Sequence, residues 1–567
     1  MSGTNTSVIG HIVDVQGNLL TATLVEDEQG ESPAVNIDGE DILVGQLGSY
    51  VAVRQNDVHI IAIVTRMTEQ EALLGSVIET PTGEEARLPF AKRIARLTPI
   101  GSIGTDGQFD RGVGRYPTTG AEVHAIGSAD VAKMFNRFHS KGFDVGGLPW
   151  HKETRIYLDP TNLFGRHFAV LGQTGSGKSW TVASLIQKAV AIMPKAHIIL
   201  IDLHGEYCWK RDTEHHYAFA DAIVRHIDAR ELEIPYWLMT YAELCDLLIE
   251  HSEREAKNQT AFFRDCLLKG RQEENRTAKP VLGLTRVTVD TPVFFDLMAL
   301  RTLIEDKNGK IPNAKGDGLK DGPLTGAFDN FLMRLDSKLD DVRYDFLLKP
   351  KVRKDSASLS ALLRDFVGLG TKKAAVTVVD LSSVPFDVRP TVAAQIGRLA
   401  FEFNYWNPKY REFPILLMCE EAHAYIPRES ESQFAGSRKS MERIAKEGRK
   451  YGVGLAVVSQ RPHEVSETVL AQCGTFICLR ITNPADQEYV RKLVPESEGD
   501  LVSVLAGLGR GEALVLGEAV PLPTRLQFDK PDPTPNSDDV DFYKQWKDGP
   551  TDLDVDAIVK RWRSQER

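Results

Sequence analysis

The chain begins with short segments in which Val, Ile and Thr alternate with polar residues: Ser7 to Val13, Leu19 to Val25, Tyr50 to Arg54 and His59 to Thr65. Such runs read as half-buried strands. Gln16-Gly17-Asn18 and Gln55-Asn56-Asp57 separate them, with residues that tolerate tight turns. Closely spaced strands without helices predict a small β-barrel over residues 1–95. A further strand-like piece follows at Ala121–Ile126, and the glycine-containing stretch from Gly142 to Pro149 reads as a linker.

From about Arg166 the pattern changes. Continuous apolar runs occur at His167–Leu171, His197–Asp202, Ala375–Asp380, Ile415–Cys419, Gly454–Ser459 and Thr475–Arg480, with helical periodicity between several of them, as over Ser179–Ile192. Buried strands alternating with helices predict a parallel sheet covered on both faces. Leu, Glu, Lys and Arg at helical spacing dominate residues 215–370, as in Tyr241–Ile249, and imply a helical insertion. The expected fold is α/β. A core over 96–214 and 371–529 carries the N-terminal barrel and the insertion, and residues 530–567 form a linker and tail.

Composition narrows the class. In 567 residues, 42% are hydrophobic and 26% charged, the balance of a globular chain rather than a disordered one. Lys+Arg 68 against Asp+Glu 79 leaves a net charge of −11. That argues against a coat of positive charge, although a basic groove or pore within an acidic exterior stays open. Six scattered cysteines with no C-x-x-C pair read as small buried hydrophobes in a reducing compartment. With no signal-like N-terminus and no apolar run near the ~20 residues that span a bilayer, the protein is expected to be cytoplasmic and without a membrane partner.

The chemistry starts at Gly172-Gln173-Thr174-Gly175-Ser176-Gly177-Lys178-Ser179, a complete G-x-x-x-x-G-K-[ST] motif between a strand and a helix. Glycines let backbone N–H groups curl around phosphate oxygens, and the helix N-terminus adds favourable potential for an anion. Lys178 is expected on the β- and γ-phosphates of ATP, and the Ser179 hydroxyl on Mg²⁺. Ile415–Cys419 is an apolar strand that ends in two acids. Glu420 is assigned to the Mg²⁺ side and Glu421 to polarising the attacking water. The strand Gly454–Ser459 ends at Gln460, which is placed to sense the γ-phosphate.

These stretches resemble the HerA-like branch of the HerA–FtsK DNA-pumping ATPases. The matching segments are Arg166–Ser179, Ile201-Asp-Leu-His-Gly-Glu-Tyr207, Val379-Asp-Leu-Ser382, Cys419-Glu-Glu-Ala-His423, Glu447-Gly-Arg-Lys-Tyr-Gly452 and Ser459-Gln-Arg-Pro462. Glu420 departs from the pattern, in which the first acid is commonly Asp. The resemblance implies that the core is a RecA-like P-loop ATPase, and that the protein is a homohexamer with nucleotide at each subunit boundary and double-stranded DNA through a central channel. It implies that Arg449 reaches a neighbour's γ-phosphate, that Arg166 is a second arginine of the site, and that Gln460 is its sensor. It gives Asp202, His204 and Glu206 a site-shaping role.

Such motors commonly serve an effector: a nuclease in archaeal DNA end processing, or a nuclease or sirtuin-type NAD hydrolase in bacterial antiphage defence. The expected partner site is the face of the N-terminal barrel. A different class stays open, a nucleotide-gated ring scaffold that activates an effector without needing to move DNA. Arg438, Lys439, Arg443, Lys446, Arg449 and Lys450 form a basic segment that a ring could turn toward phosphates. A solvated helix face has the same composition.

Overall fold

In the computed structural model, the described residues are 7–564 without 26–33, 38–39, 44, 56, 72–75, 80–84, 89–90, 105–108, 212–213, 229–232, 250–255, 313–318 and 429–434. Asn56, in one of the expected turns, lies outside them. The chain divides into two compact units. One comprises Met1–Ile192, Ser459–His463 and Cys473–Pro531; the other comprises Met193–Val458, Glu464–Gln472 and Asp532–Arg567.

In the first unit, six antiparallel strands close on themselves in the order Ala91–Ile103, Leu19–Leu24, Val8–Gln16, Glu122–Ala125, Tyr50–Gln55 and Val58–Glu71, the last pairing back on the first. Ile12, Leu20, Val53, Ile60, Ala62, Leu97 and Val123 are among the side chains that fill the barrel, each nearly or fully removed from solvent. The strand Glu122–Ala125 sits between two strands from the first 55 residues. The barrel therefore reaches beyond the 1–95 span expected from the sequence, because residues distant along the chain complete the wall. The Tyr50 hydroxyl leaves the barrel to donate to the Pro523 carbonyl at 2.7 Å, a buried tie to the strand Thr524–Phe528.

That strand belongs to a second sheet in the same unit, ordered His151–Tyr157, Asp144–Leu148, Thr524–Phe528, Glu512–Gly517, Thr475–Cys478, Phe168–Leu171. The last pair is parallel and the others antiparallel. Asp144–Leu148 lies within the stretch the sequence presents as a linker. Gly146 serves close approach instead: a Cβ there would stand 2.1 Å from the Gln527 carbonyl oxygen.

The second unit holds five parallel strands, Val453–Ser459, Ile415–Cys419, Ile198–Asp202, Val376–Asp380 and Val224–Ile227. Their core residues are almost wholly buried, as continuous apolar runs require. The longest helices described in the insertion are Tyr241–Leu248, Ala256–Thr277, Leu297–Asn308, Asp329–Asp340 and Leu359–Phe366. In the first, Thr240 and Glu243 form a reciprocal capping box. The tail helices Phe542–Asp548 and Val555–Ser564 bury no residue, and Trp546 and Trp562 are exposed. All six cysteines are buried thiols. No helix among the described residues is long and apolar enough to cross a membrane.

Candidate nucleotide site

In the first unit, the buried strand Phe168–Leu171 delivers the chain into the phosphate loop, and the helix Lys178–Ile192 leaves it. Gly175 and Gly177 have φ +73° and +99°, in the region that favours glycine. At Gly177 a Cβ would also meet the Gly511 nitrogen at 2.8 Å, and at Gly172 it would meet Ser176 Oγ at 2.7 Å. The loop is braced at both ends. The Gly172 N–H donates to the Ser459 carbonyl at 3.2 Å and the Gln173 N–H to the Arg480 carbonyl at 3.0 Å, while the Gly511 N–H donates to the Ser176 carbonyl at 2.9 Å. Gln173 Oε1 accepts from the Thr482 hydroxyl and N–H.

Lys178 is buried, and its ammonium donates to the Gln173 carbonyl at 3.2 Å. Ser176 is fully buried, and its Oγ has no protein partner among the described residues. A preformed loop with a cation directed back across it, and a buried hydroxyl still unbonded, fits a phosphate chain. The Thr174 hydroxyl donates to Gln460 Oε1. Gln460 thus touches the phosphate loop. Arg166 stands just before the loop strand, with its guanidinium paired to Glu518.

In the second unit, the strand Ile415–Cys419 ends at Glu420 and Glu421, both buried. Glu420 Oε1 accepts from the Tyr207 hydroxyl at 2.7 Å, and its backbone carbonyl accepts from the Tyr425 hydroxyl at 2.9 Å. Glu420 Oε2 has no hydrogen-bond partner among the described residues. Burial pushes the Glu420 carboxyl well above its ordinary range, and Asp202 and Glu206 add to that. Glu421 takes left-handed backbone, φ 46° and ψ 46°, at a cost of about 1–2 kcal/mol for a residue with a Cβ. Its Oε2 stands 3.3 Å from His423 Nδ1. Two buried carboxylates with oxygens left over from protein hydrogen bonding fit the hydration shell of a divalent cation.

Asp202 explains how this half is built. Its fully buried carboxylate accepts the backbone N–H groups of His204, Gly205, Glu206 and Tyr207 at 2.8–3.2 Å. The chain is drawn into a tight turn that aims Tyr207 at Glu420. Burial raises the Asp202 pKa to about 7 despite these donors. Asp202 therefore positions, through Tyr207, the acid assigned to the metal. Tyr207 escaped the sequence reading, where its only signal was its place at the end of the Ile201–Tyr207 stretch.

Arg449 lies in the short 3₁₀ turn Gly448–Tyr451 after the helix Ala435–Glu447. It is exposed and has no ion pair among the described residues. Its neighbours in the basic segment differ. Arg438 and Lys446 both pair with Glu442, at 2.7 and 3.6 Å, and Arg443 pairs with Glu447 and lies over the Phe401 ring. Half of the residues in the apparent basic cluster are paired along their own helix, by two acids between them.

The family model described as "Helicase HerA, central domain" matches residues 143–400, and that described as "Helicase HerA-like C-terminal" matches 414–523. The chain belongs to the HerA helicase family. Among curated HerA relatives, the DNA double-strand break repair helicase HerA of Sulfolobus acidocaldarius is 27% identical over 91% of this chain and 95% of its own length. The protein of the same name from Pyrococcus furiosus is 29% identical, over 73% and 74%. Among solved structures, VirB4 of Thermoanaerobacter pseudethanolicus aligns with 16% identity and TM-score 0.45, over 68% of this chain and 96% of its own. The bacterial conjugative coupling protein TrwB aligns with 12% identity and TM-score 0.44, over 70% and 91%. As a HerA-family member, this chain is an ATP-hydrolysing enzyme of a DNA helicase and translocase family.

Proposed function

We propose that this protein is an ATP-driven motor on double-stranded DNA, working as a homohexamer with the duplex in its central channel. The observation that carries the reading is a braced phosphate loop in a HerA-family chain that also carries a strand ending in two buried acids. Lys178 and the loop N–H groups hold the triphosphate, and Gln460 reads its γ-phosphate through Thr174. Glu421 accepts the proton of the attacking water, a role worth about 10²–10⁴ in rate. Ser179 and Glu420 would hold Mg²⁺, which supplies charge neutralisation on the phosphates when bound. Arg449, exposed and unpaired, is the arginine offered to a neighbouring subunit; Arg166 joins the site only by releasing Glu518.

The motor serves an effector of the nuclease or sirtuin-type class, docked on the N-terminal barrel, in antiphage defence. Two relatives carry names that place them in double-strand break repair, the other setting in which such a motor would act. A triplex-displacement assay tests the motor. The wild type is expected to strip a third strand from duplex DNA with ATP, and Glu421→Gln to bind ATP without doing so. ATP hydrolysis and effector activation with no displacement would replace the motor by a ring scaffold.

A further inference from the structure

The phosphate loop has two distinguishable ends, and a residue outside the motif closes one of them. At the Thr174 end stand Gln460 and Thr482, and the Lys178 ammonium is directed to the same side, at the Gln173 carbonyl. Because the motif lysine accompanies the β- and γ-phosphates, the highly charged end of the nucleotide belongs there. The nucleoside must then leave over the other end, where the helix begins at Gly177, Lys178, Ser179 and Trp180.

That other end meets the turn before the strand Glu512–Gly517. The Gly511 N–H bonds to the Ser176 carbonyl, and a Cβ on Gly177 would lie 3.5 Å from Arg510 Cγ. The Arg510 guanidinium lies over the Trp180 indole at 3.8 Å from the ring centre, and the Lys530 ammonium stands 5.1 Å from the same ring. Stacking of this kind holds the planar fork in one orientation. Trp180 Nε1 is buried without a hydrogen-bond partner among the described residues. Two cations and an indole are thus gathered beside the end of the loop away from the Lys178 ammonium.

We propose that Arg510 is a nucleotide-positioning residue acting within its own subunit, held by Trp180 against the α-phosphate and sugar of a bound nucleoside triphosphate. The inference rests on the phosphate loop's role in the motor reading, and it separates Arg510 from any arginine that acts on the γ-phosphate. A contact at the α-phosphate is made equally by ATP and ADP, and equally before and during hydrolysis. Its loss weakens binding of both nucleotides and raises KM while sparing kcat.

The test compares wild type, Arg510→Ala and Arg510→Gln in full-length protein, with ATP and ADP binding by calorimetry alongside steady-state ATPase kinetics. Expected is a weakening of about tenfold for both nucleotides, the scale of one charge-assisted contact, with kcat within about twofold. Arg510→Gln keeps the length of the side chain and is read in the same way if the alanine variant fails to fold. Trp180→Phe should abolish part of the nucleotide-dependent change in tryptophan emission. Unchanged affinities in an active protein overturn the inference alone, as does a selective loss of ATP binding with a fall in kcat. A wild type that binds no nucleotide overturns the motor reading as well.

Discussion

Replacing Tyr207 by Phe removes one oxygen atom from a ring that is fully buried and leaves its packing in place. The lost hydroxyl is the donor to Glu420 Oε1 at 2.7 Å, and Oε2 already lacks a hydrogen-bond partner among the described residues. The variant therefore strips the carboxylate side chain of its described hydrogen bond. A hydrogen bond to a charged group is worth about 1.5–3 kcal/mol, and its loss penalises only the ionised form. The Glu420 carboxyl, already held above its ordinary range by burial, is pushed further up. Since a metal-associated carboxylate must be deprotonated, the Mg²⁺ concentration giving half-maximal ATPase should rise between tenfold and about a hundredfold. The rise should be larger at pH 7 than at pH 9, where the acid ionises more readily. Saturating Mg²⁺ should restore most of the wild-type rate. A folded Tyr207→Phe enzyme with an unchanged Mg²⁺ titration would refute both the placement of Glu420 at the metal and the positioning role given to Tyr207.

Two further outcomes follow from the same geometry. With its pKa raised from 3.8 to about 7, Asp202 binds a proton in the folded state that the unfolded chain has released. Its contribution to stability is therefore present at low pH and is lost as pH rises from about 4 through 7; a denaturation series should show this decline become shallower in Asp202→Asn. Arg449→Ala removes an exposed side chain, so stability should stay within about 0.5 kcal/mol of wild type, while ATPase falls by about 10³ or more. Mixing Arg449→Ala subunits with Glu421→Gln subunits should recover activity, because each supplies what the other lacks across a boundary. No recovery in mixed assemblies would place Arg449 outside a neighbour's site.

The parts of the candidate site that reside in consecutive residues are legible in the sequence. The phosphate loop, the acids after Ile415–Cys419, and Gln460 after Val453–Ser459 combine a local motif with a strand whose burial shows as an apolar run. The parts made by tertiary contact are not. Nothing in the spacing of Asp202, Tyr207 and Glu420 reveals that one carboxylate gathers four amides in order to aim a phenol at another carboxylate. Arg510 carries no motif, and its relation to Trp180 arises from the approach of two glycine-containing turns. The stretch Gly142–Pro149 misleads because glycine signals both loop and close strand approach, and only the neighbour across Gly146 distinguishes them. The basic segment misleads in the other direction: composition counts Arg438, Arg443 and Lys446 as free charge, while the helix repeat places Glu442 and Glu447 within their reach.

The closed wall of the N-terminal barrel limits how anything can attach to it. Where its six strands pair all the way round, the closed part of the wall leaves few spare N–H and C=O groups among the described residues for an incoming strand to copy. If an effector docks on that part of the wall, as proposed, it must read side chains and turns rather than add itself to the sheet. Recognition of that kind is tuned residue by residue, so exchanging surface side chains on an unchanged barrel would be enough to send the same motor to a different effector.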